Sequence, residues 1–183
     1  RENPNAAFLE WLNPKNKKKY TWGETSINIY KLAKAIKKNI SSGDRCLLVS
    51  ENRPEWLIAD IAIMLADGIT VPAYTTYTEK DYRYLIEDCE PSVIIVSNKE
   101  MHEKLKNIIK EKSFVKKIIT FDKIENVNYE NKYLDFNSIL KNNLNEDDKT
   151  KNSSLKRSSA ACIIYTSGTG GNPKGVILSH GGI

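Results

Sequence analysis

Short apolar runs alternate with segments of helical periodicity in the first two thirds of the chain. The runs are rich in valine, isoleucine and leucine, as buried parallel strands are. They lie at residues 45–50, 69–72, 92–97 and 116–121. Each intervening segment is long enough for one helix, and these segments begin near Pro54, Thr78 and Lys99. The alternation predicts a doubly wound α/β lobe, in which a mostly parallel sheet carries helices on both faces.

A β-hairpin and a helix are predicted in front of this alternation. Residues 6–12 and 18–22 have the composition of strands and are separated by turn-forming residues, so we expect them to form the hairpin. Thr21 and Glu24 have the spacing of a capping box. We therefore expect the first helix to begin there and to continue to about Ile40.

The periodicity fades after residues 1–121, which we predict to be one lobe with its leading hairpin. Residues 122–158 are mostly polar, and we expect a mobile surface linker there, with a short helix at residues 133–140. Residues 159–183 then begin a second sub-domain, with a strand, a loop, a strand and a helix that starts at His180. A chain of 183 residues is short for a two-domain protein, so we expect it to be incomplete.

The net charge of +5 does not by itself indicate a nucleic-acid partner. Lysines are spread over predicted helices and loops instead of forming one stripe, and no recognition-helix, zinc-finger or RNA-binding pattern accompanies them. No apolar run approaches the roughly 20 residues that span a bilayer, and the N-terminal residues lack the features of a signal peptide. We therefore expect a cytoplasmic protein that binds no nucleic acid.

Cysteines and histidines give little indication of catalytic chemistry. Cys46, Cys89 and Cys162 show none of the paired spacings of metal sites or disulfide frameworks, so we expect buried, reduced thiols. His102 is expected at the surface of the fourth helix, and no pair of carboxylates has the arrangement of a general acid and base. Candidate functional residues must therefore come from another kind of motif.

Residues 166–175 form a glycine-rich loop between two predicted strands, at residues 160–165 and 176–178. The loop has the sequence TSGTGGNPKG. Its four glycines let the backbone turn tightly and bring N–H groups close to a ligand, and a concave row of N–H groups binds anions. The hydroxyls of its threonines and serine add donors and oxygen ligands for Mg²⁺. With the charge of Lys174, the loop predicts a polyphosphate-binding site.

Two common phosphate-binding loops are excluded by the order of these residues. A Walker A loop has glycine directly before its lysine and serine or threonine directly after it, whereas Pro173 and Gly175 flank Lys174. A dinucleotide-binding fingerprint needs a glycine three positions after Gly170, where this chain has Pro173. The loop therefore belongs to another class.

Residues 165–176, followed by Leu178-Ser179-His180, closely resemble the AMP-binding signature of the adenylate-forming superfamily. This superfamily includes acyl-CoA synthetases, firefly luciferase and the adenylation domains of peptide synthetases. Upstream segments look like the bacterial long-chain fatty acyl-CoA synthetase branch, and they are residues 20–24, 43–45, 51–56 and 71–78. One departure is Gly170, where the family usually has threonine or serine, so one hydroxyl that could contact phosphate is missing.

The resemblance implies an enzyme that activates a fatty acid in two steps. The carboxylate attacks the α-phosphorus of ATP to give an acyl-adenylate and pyrophosphate, and the thiol of coenzyme A then displaces AMP to give a thioester. The implied cofactors are ATP, Mg²⁺ and coenzyme A as co-substrate, and the implied partners are small molecules. Because long-chain acids partition into bilayers, peripheral membrane association of the full-length protein is compatible with the resemblance.

The resemblance also assigns site residues by motif position. The nucleotide-binding residues are Thr166, Ser167, Gly168, Thr169, Gly170, Gly171, Asn172, Pro173 and Lys174. Thr166 would help to hold Mg²⁺ or a phosphate oxygen, and Lys174 is the candidate catalytic residue because its charge would neutralise the departing pyrophosphate. Trp56, Tyr74 and Tyr77 are candidates for a substrate path, although aromatic residues at such positions also serve as packing.

Two alternatives to a long-chain fatty acid–CoA ligase stay open. One is an adenylate-forming ligase for another acid, such as an aryl, medium-chain or amino acid, and the other is a nucleotide-binding module without ligase activity. The family's adenine motif, acidic Mg²⁺ ligand, hinge and C-terminal lysine are expected beyond Ile183. We therefore expect the chain alone to be inactive in the full reaction and to bind ATP only weakly.

Overall fold

The computed structural model describes residues 3–12, 17–127, 131–145, 148, 155–166 and 172–183. The first element is the expected N-terminal hairpin, formed by the antiparallel strands β1 (Ala7–Trp11) and β2 (Lys18–Thr21). The turn predicted between them lies outside the described residues. Helix α1 (Trp22–Lys37) follows directly, and Thr21 and Glu24 form the expected capping box at its start.

Strands and helices then alternate as far as residue 120, as the sequence predicts, and three further strands and a short helix follow in the described part of the chain. In chain order they are β3 (Arg45–Val49), α2 (Pro54–Leu65), β4 (Ile69–Ala73), α3 (Glu79–Cys89), β5 (Val93–Val96), α4 (Lys99–Glu111), β6 (Lys117–Thr120), β7 (Tyr133–Asp135), α5 (Phe136–Leu140), β8 (Ala160–Thr166) and β9 (Lys174–Ser179). The bounds of α3 and α4 agree with the prediction because both helices begin at polar capping residues that the sequence shows.

Strands β3 to β9 form one sheet in the order β7-β6-β5-β3-β4-β8-β9. Neighbouring strands are parallel from β7 to β8, and β9 is antiparallel to β8 at the edge. The fold is therefore the predicted doubly wound, mostly parallel α/β sheet. The chain passes from β3 to β4 in one direction and then crosses back to β5 on the other side of β3. In open α/β sheets, ligands bind beyond the carboxyl ends of the strands at such a switch point.

Helices cover both faces of the sheet, and the side chains of β3 alternate between these faces. Leu47 and Val49 belong to the core that α3 and α4 complete, whereas Cys46 and Leu48 belong to the core under α1, α2 and α5. Successive side chains of a strand point to opposite faces, and these four are fully buried. The continuous apolar run in β3 therefore reflects a strand that is buried on both sides.

Residues 133–140 differ from the predicted single helix. Tyr133–Asp135 form β7 at the edge of the sheet, and α5 begins only at Phe136, with Asp135 as its N-cap. A strand of three residues is too short to show its period in the sequence, which is why β7 was not expected. Part of the predicted linker, residues 122–158, therefore belongs to the lobe. The division of the chain into two sub-domains stays a prediction.

His102 also differs from expectation. It is 4% exposed in α4, because Tyr133 of β7 packs on it with its hydroxyl oxygen 2.8 Å from Nε2. His180 lies in a turn, and the helix expected to start there stays a prediction. The N–H of the next residue, Gly181, donates to the carbonyl of Arg157 at 2.8 Å. The backbone after β9 is therefore bonded to the segment before β8.

Candidate functional site

The predicted phosphate loop joins the ends of β8 and β9. In this antiparallel pair, Thr166 lies opposite Lys174, and Tyr165 lies opposite Gly175. Directly opposite residues carry their side chains on the same face of a sheet, with Cβ atoms about 5 Å apart. The Thr166 hydroxyl and the Lys174 ammonium group therefore flank the two ends of the loop, and both residues are exposed. The structure thus brings together two of the residues that the motif assigns to phosphate.

The middle of the loop lies outside the described residues. It comprises Ser167, Gly168, Thr169, Gly170 and Gly171, whose assigned contacts with phosphate stay predictions. Asn172 and Pro173, at the C-terminal end of the loop, are described. A cavity of about 70 Å³ lies between them and residues of α3 that include Tyr84 and Leu85. This end of the loop is therefore next to α3.

Side chains of α3 hydrogen-bond to the β8–β9 hairpin. The Tyr84 hydroxyl donates to the carbonyl oxygen of Pro173 at 2.9 Å, and the Tyr165 hydroxyl donates to a carboxylate oxygen of Asp88. Burial and then this carboxylate raise the pKa of Tyr165, so its hydroxyl stays a donor at neutral pH. Sequence reasoning missed both contacts because the partners lie 89 and 77 residues apart.

Gly175 is required for packing in β9. A Cβ atom at this position would lie 2.8 Å from Cγ2 of Ile163 and 3.2 Å from Cζ of Tyr165. The Tyr165 ring thus occupies the space that a side chain at residue 175 would need, and an aromatic ring over a glycine is a known way of completing an edge strand. The sequence indicated a glycine that turns the loop backbone, whereas the structure places Gly175 inside a strand.

A cavity of about 510 Å³ opens beside the hairpin, at the carboxyl ends of β3, β4 and β8. Its lining combines aromatic and aliphatic side chains with a few polar groups. The lining residues are Ser50, Glu51, Asn52, Trp56, Pro72, Ala73, Tyr74, Thr75, Ile164 and Tyr165. The cavity lies beyond the carboxyl ends of neighbouring parallel strands, which is the edge of the sheet where ligands bind in open α/β folds.

Trp56 and Tyr74, two of the aromatic candidates for a substrate path, line this cavity. Tyr77 instead packs edge-on between Tyr74 and Tyr82, with ring centroids 5.4 and 5.7 Å away. The Tyr82 hydroxyl donates to the carbonyl of Tyr74 at 2.7 Å. Helix α3 therefore supports the cavity lining as well as the loop, and Tyr77 has the packing role that the sequence left open.

A buried ion cluster lies beside the cavity at the start of α2. Arg53 pairs with Glu55 at 2.8 Å and with Asp122 at 3.0 Å, and its guanidinium lies 4.7 Å from the ring centroid of Trp11. Lys18 of β2 pairs with the same Glu55 at 2.7 Å. Burial alone would raise the pKa of Glu55, but hydrogen bonds from Arg53 and Lys18 lower it to about 2. These charges compensate one another, so the cluster joins the hairpin to the lobe.

The described residues do not by themselves form a magnesium site. In that part of the chain, no group of three or more histidine, cysteine, aspartate or glutamate side chains could hold a metal ion. Mg²⁺ is usually held by one or two carboxylates together with substrate phosphates. The Thr166 hydroxyl therefore fits as one ligand of an ion whose other ligands include phosphate oxygens. The assignment of Thr166 to a metal stays a prediction.

A family model described as AMP-binding enzyme matches residues 1–183. The chain is 33% identical over 134 residues to Long-chain-fatty-acid–CoA ligase ACSBG2 of Xenopus laevis, which covers 72% of this chain and 18% of that protein. It is 30% identical over 172 residues to Long chain acyl-CoA synthetase 3 of Arabidopsis thaliana, which covers 88% of this chain and 26% of that protein. The chain thus spans roughly a fifth to a quarter of the length of these relatives.

Solved structures share the fold of this chain. The anthranilate CoA ligase AuaEII in complex with anthranoyl-AMP matches with a TM-score of 0.81 and 21% identity, over 94% of this chain and 32% of that one. The luciferase-like enzyme from the nonluminescent Zophobas morio mealworm matches with a TM-score of 0.76 and 23% identity, over 89% and 37%. At these identities the likeness concerns the fold.

Within the described ranges, no helix has the length and apolar character that crossing a bilayer requires.

Proposed function

The chain belongs to the AMP-binding enzyme family, and on this premise we propose that it carries the ATP phosphate-binding loop of a ligase that activates a carboxylic acid. The observation that supports the proposal is the pairing of Thr166 with Lys174 at the ends of a glycine-rich loop, beside a cavity at the carboxyl ends of the sheet strands. Because the curated relatives are named as long-chain fatty acid–CoA ligases and acyl-CoA synthetases, we propose a long-chain fatty acid as substrate and coenzyme A as acceptor.

The proposed reaction has two steps, in which residues of this chain act through charge and position. A carboxylate oxygen of the acid attacks the α-phosphorus of ATP, and the bond to pyrophosphate breaks. The sulfur of coenzyme A then attacks the acyl carbon, and AMP leaves with the electron pair of the broken C–O bond. Lys174 would neutralise the charge that develops on pyrophosphate, and Thr166 would hold a phosphate oxygen or Mg²⁺. Bound Mg²⁺ would supply further neutralisation of phosphate charge.

The cavity beside the hairpin is the proposed site for the acid. It shares Tyr165 with the strand that leads into the loop, so an occupant would lie close to the phosphates. Its volume of about 510 Å³ is in the range of pockets that take small molecules, roughly 300–1,000 Å³. Trp56, Tyr74 and Ile164 provide apolar surface, which favours a hydrocarbon or aryl group over a charged one.

A ligase of the same family for an aryl acid is the second candidate. Trp56 and Tyr74 in the cavity lining favour it, because aromatic side chains form offset-stacked or edge-to-face pairs with an aromatic ring. A module that binds nucleotide without reaction would need only the loop. The candidates therefore differ in which acid, if any, supports the exchange of pyrophosphate into ATP.

The complete polypeptide that carries this chain tests the proposal. Labelled pyrophosphate should exchange into ATP in the presence of palmitate, and not in the presence of acetate or benzoate. Exchange with benzoate alone would favour the aryl-acid ligase. The absence of exchange with each of these acids would point to a non-catalytic module.

Lys174→Ala should lower the rate of this exchange by roughly 10²–10³-fold, because it removes a charge aimed at the leaving group. The matched control is Lys110→Ala, which changes an exposed lysine on α4 and should exchange at the parent rate. A parent-like rate in the Lys174 variant would contradict the proposed role.

For the chain alone we expect ATP affinity weaker than micromolar, which isothermal titration would measure.

A further inference from the structure

The β8–β9 hairpin is bordered by the sheet on one side, where β8 lies next to β4. Within the described residues, the ladder between β4 and β8 aligns one pair, Thr70 with Cys162. Strand β9 is at the edge, so its outer side has no neighbouring strand in that part of the chain. Thr166 and Lys174 lie beyond the aligned pair, toward the loop. Contacts from α3 therefore add to the strand pairing in fixing where these two residues lie.

Tyr84 on α3 contacts one side of the loop end. Its hydroxyl donates to the carbonyl oxygen of Pro173 at 2.9 Å, and Pro173 is bonded directly to Lys174. Proline has a fixed φ and no N–H, so the orientation of this carbonyl is the main remaining freedom of the peptide unit that leads into Lys174. A hydrogen bond to the carbonyl oxygen restrains that orientation. Tyr84 thus restrains the residue that begins β9.

Asp88, one helical turn further along α3, contacts the other side. It accepts the hydrogen bond from the Tyr165 hydroxyl, and Tyr165 is bonded directly to Thr166. The Tyr165 ring is also held against Gly175, because the glycine leaves room for the ring and no side chain could replace it. Asp88 thus restrains the residue that precedes Thr166. Tyr84 and Asp88 are at i and i+4, so they lie on the same face of the helix.

We infer that Tyr84 and Asp88 are positioning residues that hold the Thr166–Lys174 end of the β8–β9 hairpin in place for ATP. We call this pair the α3 clasp. Neither residue is expected to touch a substrate, and each holds the residue immediately before one of the two phosphate-binding candidates. The inference rests on the proposed function, because it assumes that these two residues bind ATP phosphates.

The clasp predicts a selective effect on ATP. Tyr84→Phe removes one hydrogen bond and leaves the ring in place, and a hydrogen bond contributes on the order of a threefold to tenfold change in an equilibrium constant. In pyrophosphate exchange by the complete polypeptide, we expect the KM for ATP to rise about threefold to tenfold. The KM for the acid and the thermal midpoint should stay at parent values.

Variants of Asp88 add a conservative comparison. Asp88→Ala should raise the KM for ATP to a similar extent, because the Tyr165 hydroxyl loses its acceptor. Asp88→Asn keeps an acceptor oxygen and should restore most of the parent KM. Glu87→Gln is the matched control on α3, since Glu87 is exposed and pairs with Lys112. Tyr30→Phe is the control for a half-buried tyrosine on the opposite face of the sheet, in α1.

The outcomes separate this inference from the proposed function. A parent enzyme that exchanges pyrophosphate, with Tyr84→Phe and Asp88→Ala both at the parent KM for ATP, would overturn the clasp alone. An equal rise in the KM for the acid in Tyr84→Phe, with a lower thermal midpoint, would also overturn it and indicate general destabilisation. If the parent exchanges with no acid, the proposed function fails. The clasp then stands only if Tyr84→Phe speeds hydrogen exchange at the amides of Thr166 and Lys174 while Tyr30→Phe does not.

Discussion

His102 shows how one distant contact changes the properties of a residue. Its Nε2 lies 2.8 Å from the Tyr133 hydroxyl oxygen, and its side chain is 5% exposed. Burial, the largest influence, lowers the pKa of His102, although the neighbouring Glu103 carboxylate acts in the opposite direction. The α4 periodicity alone indicated a surface position because β7, which covers the ring, was not expected.

We predict that the free energy of unfolding falls as the pH decreases below about 6.5, the pKa of an unperturbed histidine. The folded pKa of His102 is below this value, so in this range the unfolded chain binds a proton that the folded chain does not. Stability therefore rises with pH across the range between the two pKa values. Urea unfolding of this chain between about pH 5 and about pH 7.5 would measure the slope.

Two variants test the origin of this slope. His102→Gln does not titrate and should reduce it, while its amide can still bond to Tyr133. Glu103→Gln leaves the burial of the imidazole intact and should preserve it. Identical slopes in the parent chain and in His102→Gln would show that other groups produce the effect.

Helix α3 contacts three parts of the molecule, namely the core, the cavity lining and the β8–β9 hairpin. It completes one face of the core through Tyr82 and Leu85, supports the cavity lining, and carries the α3 clasp. Its start is defined by a reciprocal cap. The Thr78 hydroxyl accepts from the N–H of Asp81 at 3.3 Å, and the Asp81 carboxylate accepts from the N–H of Thr78 at 2.9 Å. This cap is visible in the sequence, because it involves residues three positions apart.

Thr78→Ala should lower the free energy of unfolding by about 1 kcal/mol, the usual effect of removing an N-cap hydroxyl. Because the α3 clasp depends on the same helix, we expect Thr78→Ala to leave the KM for ATP of the complete polypeptide unchanged or to raise it. Thr76→Ala, an exposed threonine in the preceding turn, is the control and should change stability by less than about 0.5 kcal/mol. Chemical denaturation of the purified chain distinguishes the two. A loss as small as that of the control would mean that the cap contributes little.

The ion cluster around Arg53 connects segments from across the molecule. Its members are Lys18 in β2, Arg53 and Glu55 at the start of α2, and Asp122, which lies two residues after the end of β6. Arg53 and Glu55 each have a side chain that is only 1% exposed. Removing Glu55 would leave the buried Arg53 charge with Asp122 and Glu51 alone, whose side chains are both exposed, and this loss of the buried partner costs more than losing an exposed ion pair. The cluster therefore makes the hairpin part of the same cooperative unit as the sheet.

Glu55→Ala should destabilise the chain by about 1.5–3 kcal/mol, because Arg53 and Lys18 lose their shared partner while Arg53 keeps Asp122. Glu51→Ala is the control, since Glu51 is 40% exposed and 3.5 Å from Arg53, and it should cost less than about 1 kcal/mol. The pKa of Glu55 is lowered to about 2, so its contribution is present above an unfolded pKa of about 4.3 and is lost as the pH falls toward 2. Urea midpoints that match between the two variants would contradict this.

The sheet topology sets the layout of the whole molecule. The alternation of strands and helices was sufficient to predict a doubly wound fold, and the comparisons confirm that fold. The order of the strands was not predicted, and it is the order that places the cavity at the ends of β3, β4 and β8. The antiparallel return of β9 then brings Lys174 beside Thr166. The position of the candidate site therefore follows from the topology, whereas the proposed phosphate binding rests on the sequence of the loop.

The amino-acid sequence by itself determined the type of most elements and the start of α1, α3 and α4, and it predicts that residues 166–175 bind phosphate. Helical hydrogen bonds, caps and strand alternation depend on residues about two to four positions apart, so a linear reading contains them. Only the tertiary structure decided that Tyr84 bonds to Pro173, that Arg53 pairs with Asp122 and that β7 covers a histidine. These contacts join residues 89, 69 and 31 positions apart. They form because distant segments must bury their apolar faces together, and no local pattern specifies which segments meet.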